Sequence, residues 1–349
     1  MNEPQNPSSG ETTNARPAYP SVAVIGSGYW GKNLIRNFHE LGALKIICDK
    51  DFGTLAKLQT QYPKVETGPD FFKVLAREDI KCVVIATPAE THYSMVKEAL
   101  EAGKHVFVEK PFVMREDEGQ KLIDIAVPKG LTIMVGHVMQ YHPAFIKLKQ
   151  MVAAGELGDL QYIYSHRLNL GKIRREENIL WSFAPHDISM ILELAGEPPE
   201  MVLTTGGNYL NDQIADVTTT HLEFESGLKA HIFVSWLHPF KEQKLVVVGN
   251  KKMAVLDDTL PWAEKLLLYP HDINMDGAVP VPNKADPENV EIPESEPLKI
   301  ECLHFLQCVA TGQTPKTDPQ EGLRVLKILN LSQKSMDNDS RKLGVNVVE

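Results

Sequence analysis

A lysine set between an acid and a proline, Glu109-Lys110-Pro111, ends the apolar run Val106-Phe107-Val108. Proline cannot donate to a sheet ladder, so pairing stops there and Lys110 is left at the carboxyl edge of a strand. Open α/β sheets bind their ligands at that edge. An ammonium in this position can stabilise the alkoxide that develops when a secondary alcohol gives up hydride. Desolvation also lowers an amine's pKa toward the range in which it exchanges protons near neutrality. A second group must hold or relay the proton, and His186, in Trp181-Ser182-Phe183-Ala184-Pro185-His186-Asp187-Ile188, is the candidate. Pro185 and the apolar spacing after it read as the opening of a helix, where the dipole keeps an imidazole neutral. The other reading of His186 is a packing or capping residue.

Such chemistry needs a hydride acceptor, and the chain carries a site for one. Gly26-Ser27-Gly28-Tyr29-Trp30-Gly31 follows a short apolar strand and opens a helix. Gly26 and Gly28 allow a tight turn and close approach to a pyrophosphate, Gly31 lets helix and strand pack, and the helix N-terminus attracts the charge. Tyr29 and Trp30 belong to the same wall. Asp49 ends the next strand, 18 residues after Gly31, where a carboxylate can accept from ribose hydroxyls and repel a 2′-phosphate. That favours NAD, with Lys50 leaving NADP open. Thr87-Pro88 and His92 follow a third strand and are expected to line the nicotinamide side of the cleft. A merely tight turn at Gly26, a turn role for Asp49 and a structural role for His92 are the alternatives.

The elements that must position these groups read as two units. From Ser21, short apolar strands alternate with amphipathic helices: strands at 22–25, 44–48, 81–86, 105–108 and 131–135, and helices at 30–41, 52–62, 91–101 and 115–126. This specifies a doubly wound parallel sheet, with a dinucleotide-binding domain over 21–139. A helix from Pro143 to Ala154 opens a second α/β domain over 140–349. There the strands at 160–170, 201–209, 217–224, 228–236, 244–248 and 253–256 alternate polar and apolar residues. Such a period marks a large, mostly antiparallel sheet with one buried face. Residues 270–297 read as a solvated loop, followed by helices at 298–311 and 319–336.

Composition bounds the rest. The chain has 349 residues, which exceeds one usual core, and 43% hydrophobic and 23% charged residues. Its net charge of -10 disfavours nucleic acid and anionic membrane as partners. Residues 1–20, rich in Pro, Ser, Asn and Thr, read as a disordered leader without a signal peptide. No segment reaches the roughly 20 apolar residues of a membrane span. The four cysteines (Cys48, Cys82, Cys302 and Cys308) lack paired spacing, which suits a reducing cytoplasm. Cys302, His304 and Cys308 share one amphipathic helix without further ligands, so no metal site is expected. Tyr93 and Lys97 have the Tyr-x-x-x-Lys spacing of short-chain dehydrogenases but lie on an early helix, and are read as a helix face.

With the glycine turn, Asp49, Thr87-Pro88, Glu109-Lys110-Pro111 and the His186 region on the page, the chain resembles the glucose-fructose oxidoreductase, inositol dehydrogenase and rhizopine-catabolism family, Gfo/Idh/MocA. The resemblance covers essentially everything after the leader. It implies NAD(P)-dependent hydride transfer at a sugar-type hydroxyl, a Rossmann domain followed by an open-faced sheet domain, and a homo-oligomer, a dimer or tetramer, formed through that face. It also implies that Glu109 and Lys110 contact the nicotinamide ribose, and that Lys110 and His186 act in catalysis. Tyr141, Arg167, Trp181 and His186 are the expected substrate contacts.

Within the family, residues 178–188 and Phe233-Val234-Ser235-Trp236-Leu237-His238-Pro239 resemble bacterial nucleotide-sugar 3-dehydrogenases. Those enzymes act on UDP-N-acetylglucosamine or its uronic acid, so that an aminotransferase can install an amine. Many family members carry an aspartate four residues before the histidine, where this chain has Ser182. Asp187, one step round the helix, cannot simply replace it. An inositol, polyol or free-sugar dehydrogenase is the rival within the same chemistry, and a nicotinamide-binding sensor without turnover is the rival outside it. Arg167, Arg174 and Arg175 favour a phosphate-bearing substrate.

Overall fold

The protein is described from a computed structural model over residues 19–345, so the expected leader, apart from Tyr19 and Pro20, lies outside the described residues. Strands β1 (Val22–Ile25), β2 (Leu44–Cys48), β3 (Glu66–Gly68), β4 (Cys82–Ile85), β5 (His105–Glu109) and β6 (Ile133–Gly136) form a parallel sheet in the order β3-β2-β1-β4-β5-β6. β1, β4 and β6 are buried along their whole length, because helices cover both faces of a doubly wound sheet and leave no wet side to alternate with. The crossovers are α1 (Gly31–Glu40), α2 (Phe52–Gln61), α3 (Phe71–Leu75), α4 (His92–Glu101) and α5 (Glu116–Ala126). Asp51 Oδ1 caps α2 by accepting from Gly53 N at 2.9 Å, and Asp70 Oδ1 caps α3 by accepting from Lys73 N at 3.1 Å. The pair β3 and α3 is absent from the sequence reading. Both are short and lie at the sheet edge, where periodicity has too few residues to register.

The second half contains α6 (Pro143–Ala153), β7 (Leu160–Leu168), α7 (Ile179–Ala195), β8 (Met201–Gly207), β9 (Val217–Glu223), β10 (Lys229–Ser235), β11 (Glu242–Gly249), β12 (Met253–Asp257) and β13 (Leu266–Tyr269). A hairpin of β14 (Asp272–Asn274) and β15 (Val281–Asn283) follows, then β16 (Glu288–Asn289), α8 (Pro297–Thr311), α9 (Pro319–Asp337) and β17 (Leu343–Gly344). Nine of the strands form one sheet in the order β16-β13-β12-β11-β7-β10-β9-β8-β17. Among the described pairs of this sheet only β7 and β10 run parallel. The stretch expected to be loop from residue 270 to 297 therefore includes three short strands, one of which extends the sheet.

Period-2 alternation decides which side chains reach the interior. On β7, Ile163, Ser165 and Arg167 are buried while Tyr162, Tyr164 and His166 face outward. On β10, Ala230, Ile232 and Val234 turn in. The outer face stacks Tyr164 on His231, ring centroids 5.3 Å apart at 11°. The inner face packs on α6, α7 and α9 in the largest apolar cluster.

The last two helices return to the first sheet. Phe305 of α8 meets Phe38 and Phe107 edge-on at 6.4 and 5.7 Å, sealing one face of the parallel sheet. Leu326 of α9 joins the cluster on the other face. Trp181 packs against the clusters of both sheets, so α7 is held against the carboxyl ends of β5 and β6. Among the described residues no helix is long and apolar enough to cross a membrane.

Candidate active site

The carboxyl ends of β1, β2, β4, β5 and β6 converge, and α7 and β7 of the second sheet face them. Gly26 adopts φ +90, and a Cβ there would lie 2.6 Å from the Ala86 carbonyl oxygen. A Cβ on Gly31 would lie 2.1 Å from the Gly26 carbonyl oxygen. Both glycines are required for the turn to close on the β4 edge. Around Gly28 nothing lies within 4 Å of a Cβ position. That is the open backbone approach a pyrophosphate needs, so the turn fits a dinucleotide. Tyr29 is exposed, and Trp30 reaches back to donate Nε1–H to Glu109 Oε1 at 2.5 Å.

Asp49, just past β2, accepts from Ser27 N at 2.7 Å and from Asp51 N at 2.9 Å, and also from the Ser27 hydroxyl. Burial pushes its pKa up, but the Asp51 N–H and both Ser27 donors outweigh it and hold the carboxyl below its usual range. A carboxylate is thus tied to the glycine turn at the carboxyl end of β2. Thr87 follows β4, with Oγ1 2.7 Å from Thr91 Oγ1, and Pro88 leads into the turn before α4.

Two expectations are corrected at this point. His92 is buried, with Nδ1 2.7 Å from the Pro111 carbonyl and Nε2 3.0 Å from the Thr87 carbonyl. Both nitrogens are occupied, so it braces two loops rather than touching cofactor. Tyr141 is fully buried among apolar residues of the first domain, its hydroxyl 3.2 Å from Thr317 Oγ1. It cannot line a substrate pocket.

Lys110 follows β5 through a cis bond to Pro111. Its Nζ donates to the Ser182 carbonyl on α7 at 2.8 Å. Burial holds its pKa below the ordinary lysine value, with Glu177 and Glu109 opposing and Arg174 and Arg167 adding to the shift. Ser182 therefore meets the lysine through its backbone carbonyl. Glu109 lies beneath a Cβ-free position, because a side-chain carbon on Gly136 would be 3.0 Å from its carboxylate. Burial raises the Glu109 pKa to about 7 against the pull of Lys110 and the Trp30 N–H.

That shift carries a sign. A carboxyl whose folded pKa exceeds its unfolded value stabilises the fold below about 4.5, and the contribution is lost as pH rises through about 7. The thermal midpoint of Glu109→Gln, measured from pH 5 to 8, is expected to fall less over that interval than that of the unaltered protein. Parallel curves would show that Glu109 titrates normally.

The helix carrying His186 does not open at Pro185. It begins at Ile179, with Asn178 Oδ1 accepting from Trp181 N at 3.2 Å, and Pro185 lies inside it. The dipole argument for a neutral imidazole therefore fails. Instead, burial first, then the charges of Arg167, Lys110 and His137, push the His186 pKa well below its ordinary value. Its Nδ1 is buried without a partner. Arg167, buried on β7, grips Asp187 through Nε at 2.7 Å and Nη2 at 3.2 Å. Its guanidinium is committed, as are Arg174 to Glu177 at 3.0 Å and the Trp181 N–H to Gln333 at 3.1 Å. None of the three is a free anchor for a substrate phosphate.

Sequence reasoning missed a polar group behind this constellation. His137, one residue past β6, has Nδ1 2.6 Å from Glu321 Oε2 of α9, and Ser189 Oγ of α7 donates to Glu321 Oε1 at 2.6 Å. Gln140 Nε2 donates to Ser189 Oγ at 2.9 Å and to its carbonyl at 3.0 Å. Glu301 is fully buried with neither oxygen partnered, and burial with Glu109 and Glu321 nearby raises its pKa well above the usual range. The strand-end rule that singled out Lys110 could have found His137. Glu321, in the first turn of a helix, reads as an ordinary helix-start acid.

The chain matches a family of oxidoreductases with an NAD-binding Rossmann fold over residues 21–137, and the GFO/IDH/MocA C-terminal domain over 145–255. It is 27% identical over 307 residues to a UDP-N-acetylglucosamine 3-dehydrogenase of Acidithiobacillus ferrooxidans, covering 87% of this chain and 93% of that one. It is 26% identical to a scyllo-inositol 2-dehydrogenase (NAD(+)) of Bacillus subtilis, covering 84% and 87%. A solved structure of UDP-N-acetylglucosamine 3-dehydrogenase from A. ferrooxidans superposes with a TM-score of 0.80 at 23% identity, covering 92% of this chain and 99% of that one.

Proposed function

The chain belongs to the Gfo/Idh/MocA family of NAD-dependent oxidoreductases, and from that premise we propose that it oxidises or reduces a secondary alcohol of a UDP-N-acetylamino sugar, at C3. The observation that carries the reaction is Lys110: its Nζ is seated on the Ser182 carbonyl at the sheet's carboxyl edge, desolvated and, among the described residues, without an ion pair, beside a neutral His186. When bound, NAD supplies the hydride acceptor. Gly26, Gly28 and Gly31 would shape the turn for its pyrophosphate, Asp49 would accept from the adenosine ribose, and Glu109 would accept from the nicotinamide ribose. Lys110 takes the hydroxyl proton in oxidation and returns it in reduction. His186, kept neutral first by burial and then by the cations around it, accepts a hydrogen bond from the reacting sugar.

The preference for a nucleotide sugar over a polyol is supported by the relative that matches 87% of the chain. Arg167 and Arg174 do not support it, since both are already paired. The test is a panel of UDP-N-acetylglucosamine, its uronic acid, scyllo-inositol and glucose, each offered with NAD. The expected result is NADH formation with a UDP sugar and, at about 100 times its Kd, stabilisation by roughly 2.7 kcal/mol. Turnover of scyllo-inositol with no response to either UDP sugar would overturn the assignment in favour of a polyol dehydrogenase.

A further inference from the structure

A second imidazole stands at the same strand edges as Lys110. His137 follows Gly136, the residue that lies against the Glu109 carboxylate. Its Nδ1 is engaged by Glu321, while among the described residues its Nε2 has no protein partner, on a side chain that keeps only 2% of its surface exposed. Glu321 is itself buried and held from several sides. Ser189 donates to its other oxygen, and its backbone N–H donates to Asp318 Oδ1 at 2.7 Å. A carboxylate on one imidazole nitrogen sets which nitrogen carries the proton, and leaves the other as an acceptor.

We propose that Glu321 is a positioning residue that holds His137 as the Nδ1–H tautomer, so that His137 Nε2 presents a lone pair to the cleft as acceptor for a hydroxyl of the bound sugar. This rests on the dehydrogenase reading for the identity of the ligand, but not for the tautomer. Ser189 links the pair to α7, one turn beyond His186, so the same network sets two imidazoles of the cleft in register.

The tautomer is read without substrate, by nitrogen NMR of protein labelled at histidine, with His137→Gln identifying the signal. The expected result is Nδ1–H in the unaltered protein, a shift toward Nε2–H in Glu321→Met, and return of Nδ1–H in Glu321→Gln, whose side-chain carbonyl can still accept. A His137 that carries its proton on Nε2 in the unaltered protein overturns the inference, whichever sugar the enzyme uses. The contact is read with the sugar that the panel shows to be turned over. His137→Gln and Glu321→Met should raise KM about fivefold, the worth of one neutral hydrogen bond, with kcat reduced less. Unchanged KM in both variants overturns the substrate contact. Failure of every UDP sugar in the panel would overturn the proposed function while the tautomer result stood on its own.

Discussion

Lys110→Ala is expected to bind NAD much as the unaltered protein does and to form NADH roughly 10³-fold more slowly, within the range for loss of a positioned acid–base group. The reasoning follows from where the amine sits. Its one hydrogen-bond partner among the described residues is the Ser182 carbonyl, an acceptor that fixes the direction of Nζ without neutralising its charge. Burial pulls its pKa down, so the amine can give and take a proton near neutral pH more readily than a solvated lysine. The dinucleotide turn and Asp49 lie on β1 and β2, away from this contact, and should keep their grip on the cofactor. The side chain is partly enclosed, so Lys110→Met preserves the apolar stem and separates lost chemistry from lost packing. Cofactor affinity from fluorescence titration and turnover from NADH absorbance check both halves. A Lys110→Met protein with turnover near that of the unaltered enzyme would remove the lysine from the reaction.

The second large effect is on stability. Arg167→Met leaves Asp187, 1% exposed on α7, without the fork that grips both its oxygens. Stranding a buried charge costs about 3–5 kcal/mol, which corresponds to a thermal midpoint lower by about 10 °C. The double substitution Arg167→Met with Asp187→Leu is expected to recover most of that loss, because removing both charges removes the desolvation penalty along with the attraction. If the double variant melts as low as the single one, packing of the arginine stem is responsible rather than the stranded carboxylate. The single variant also deletes one of the cations that keep His186 unprotonated.

Much of this was legible before any coordinates. The parallel strands read as short apolar runs because both faces of their sheet are covered, and the glycine spacing of the first turn has a steric cause that survives in the contacts of Gly26 and Gly31. Lys110 could be placed because a proline ends its strand. Other features were legible but misread. Proline favours a helix's first turn, which draws the start of α7 to Pro185, whereas Asn178 three residues before Trp181 is the actual cap. Still others leave no local trace. His137 and Glu321 are 184 residues apart, and nothing near either of them names the other. Arg167 reads as a substrate contact, but the alternation of β7 turns it inward onto Asp187 of α7. Tyr141 is expected at the substrate only through the family resemblance, whereas α8 and Thr317 close over it.

One of the corrected residues has its own bearing on how the cleft is dimensioned. The His92 ring stands between the Thr87 carbonyl and the Pro111 carbonyl, in contact with both, and burial keeps it from taking the extra proton that would let it donate to each at once. It acts as a spacer, setting the separation between the loop after β4 and the turn that follows Lys110. A change in the bulk of that spacer is expected to shift both loops at once, so the gap between them and the reach of Lys110 are a single dimension of this fold rather than two.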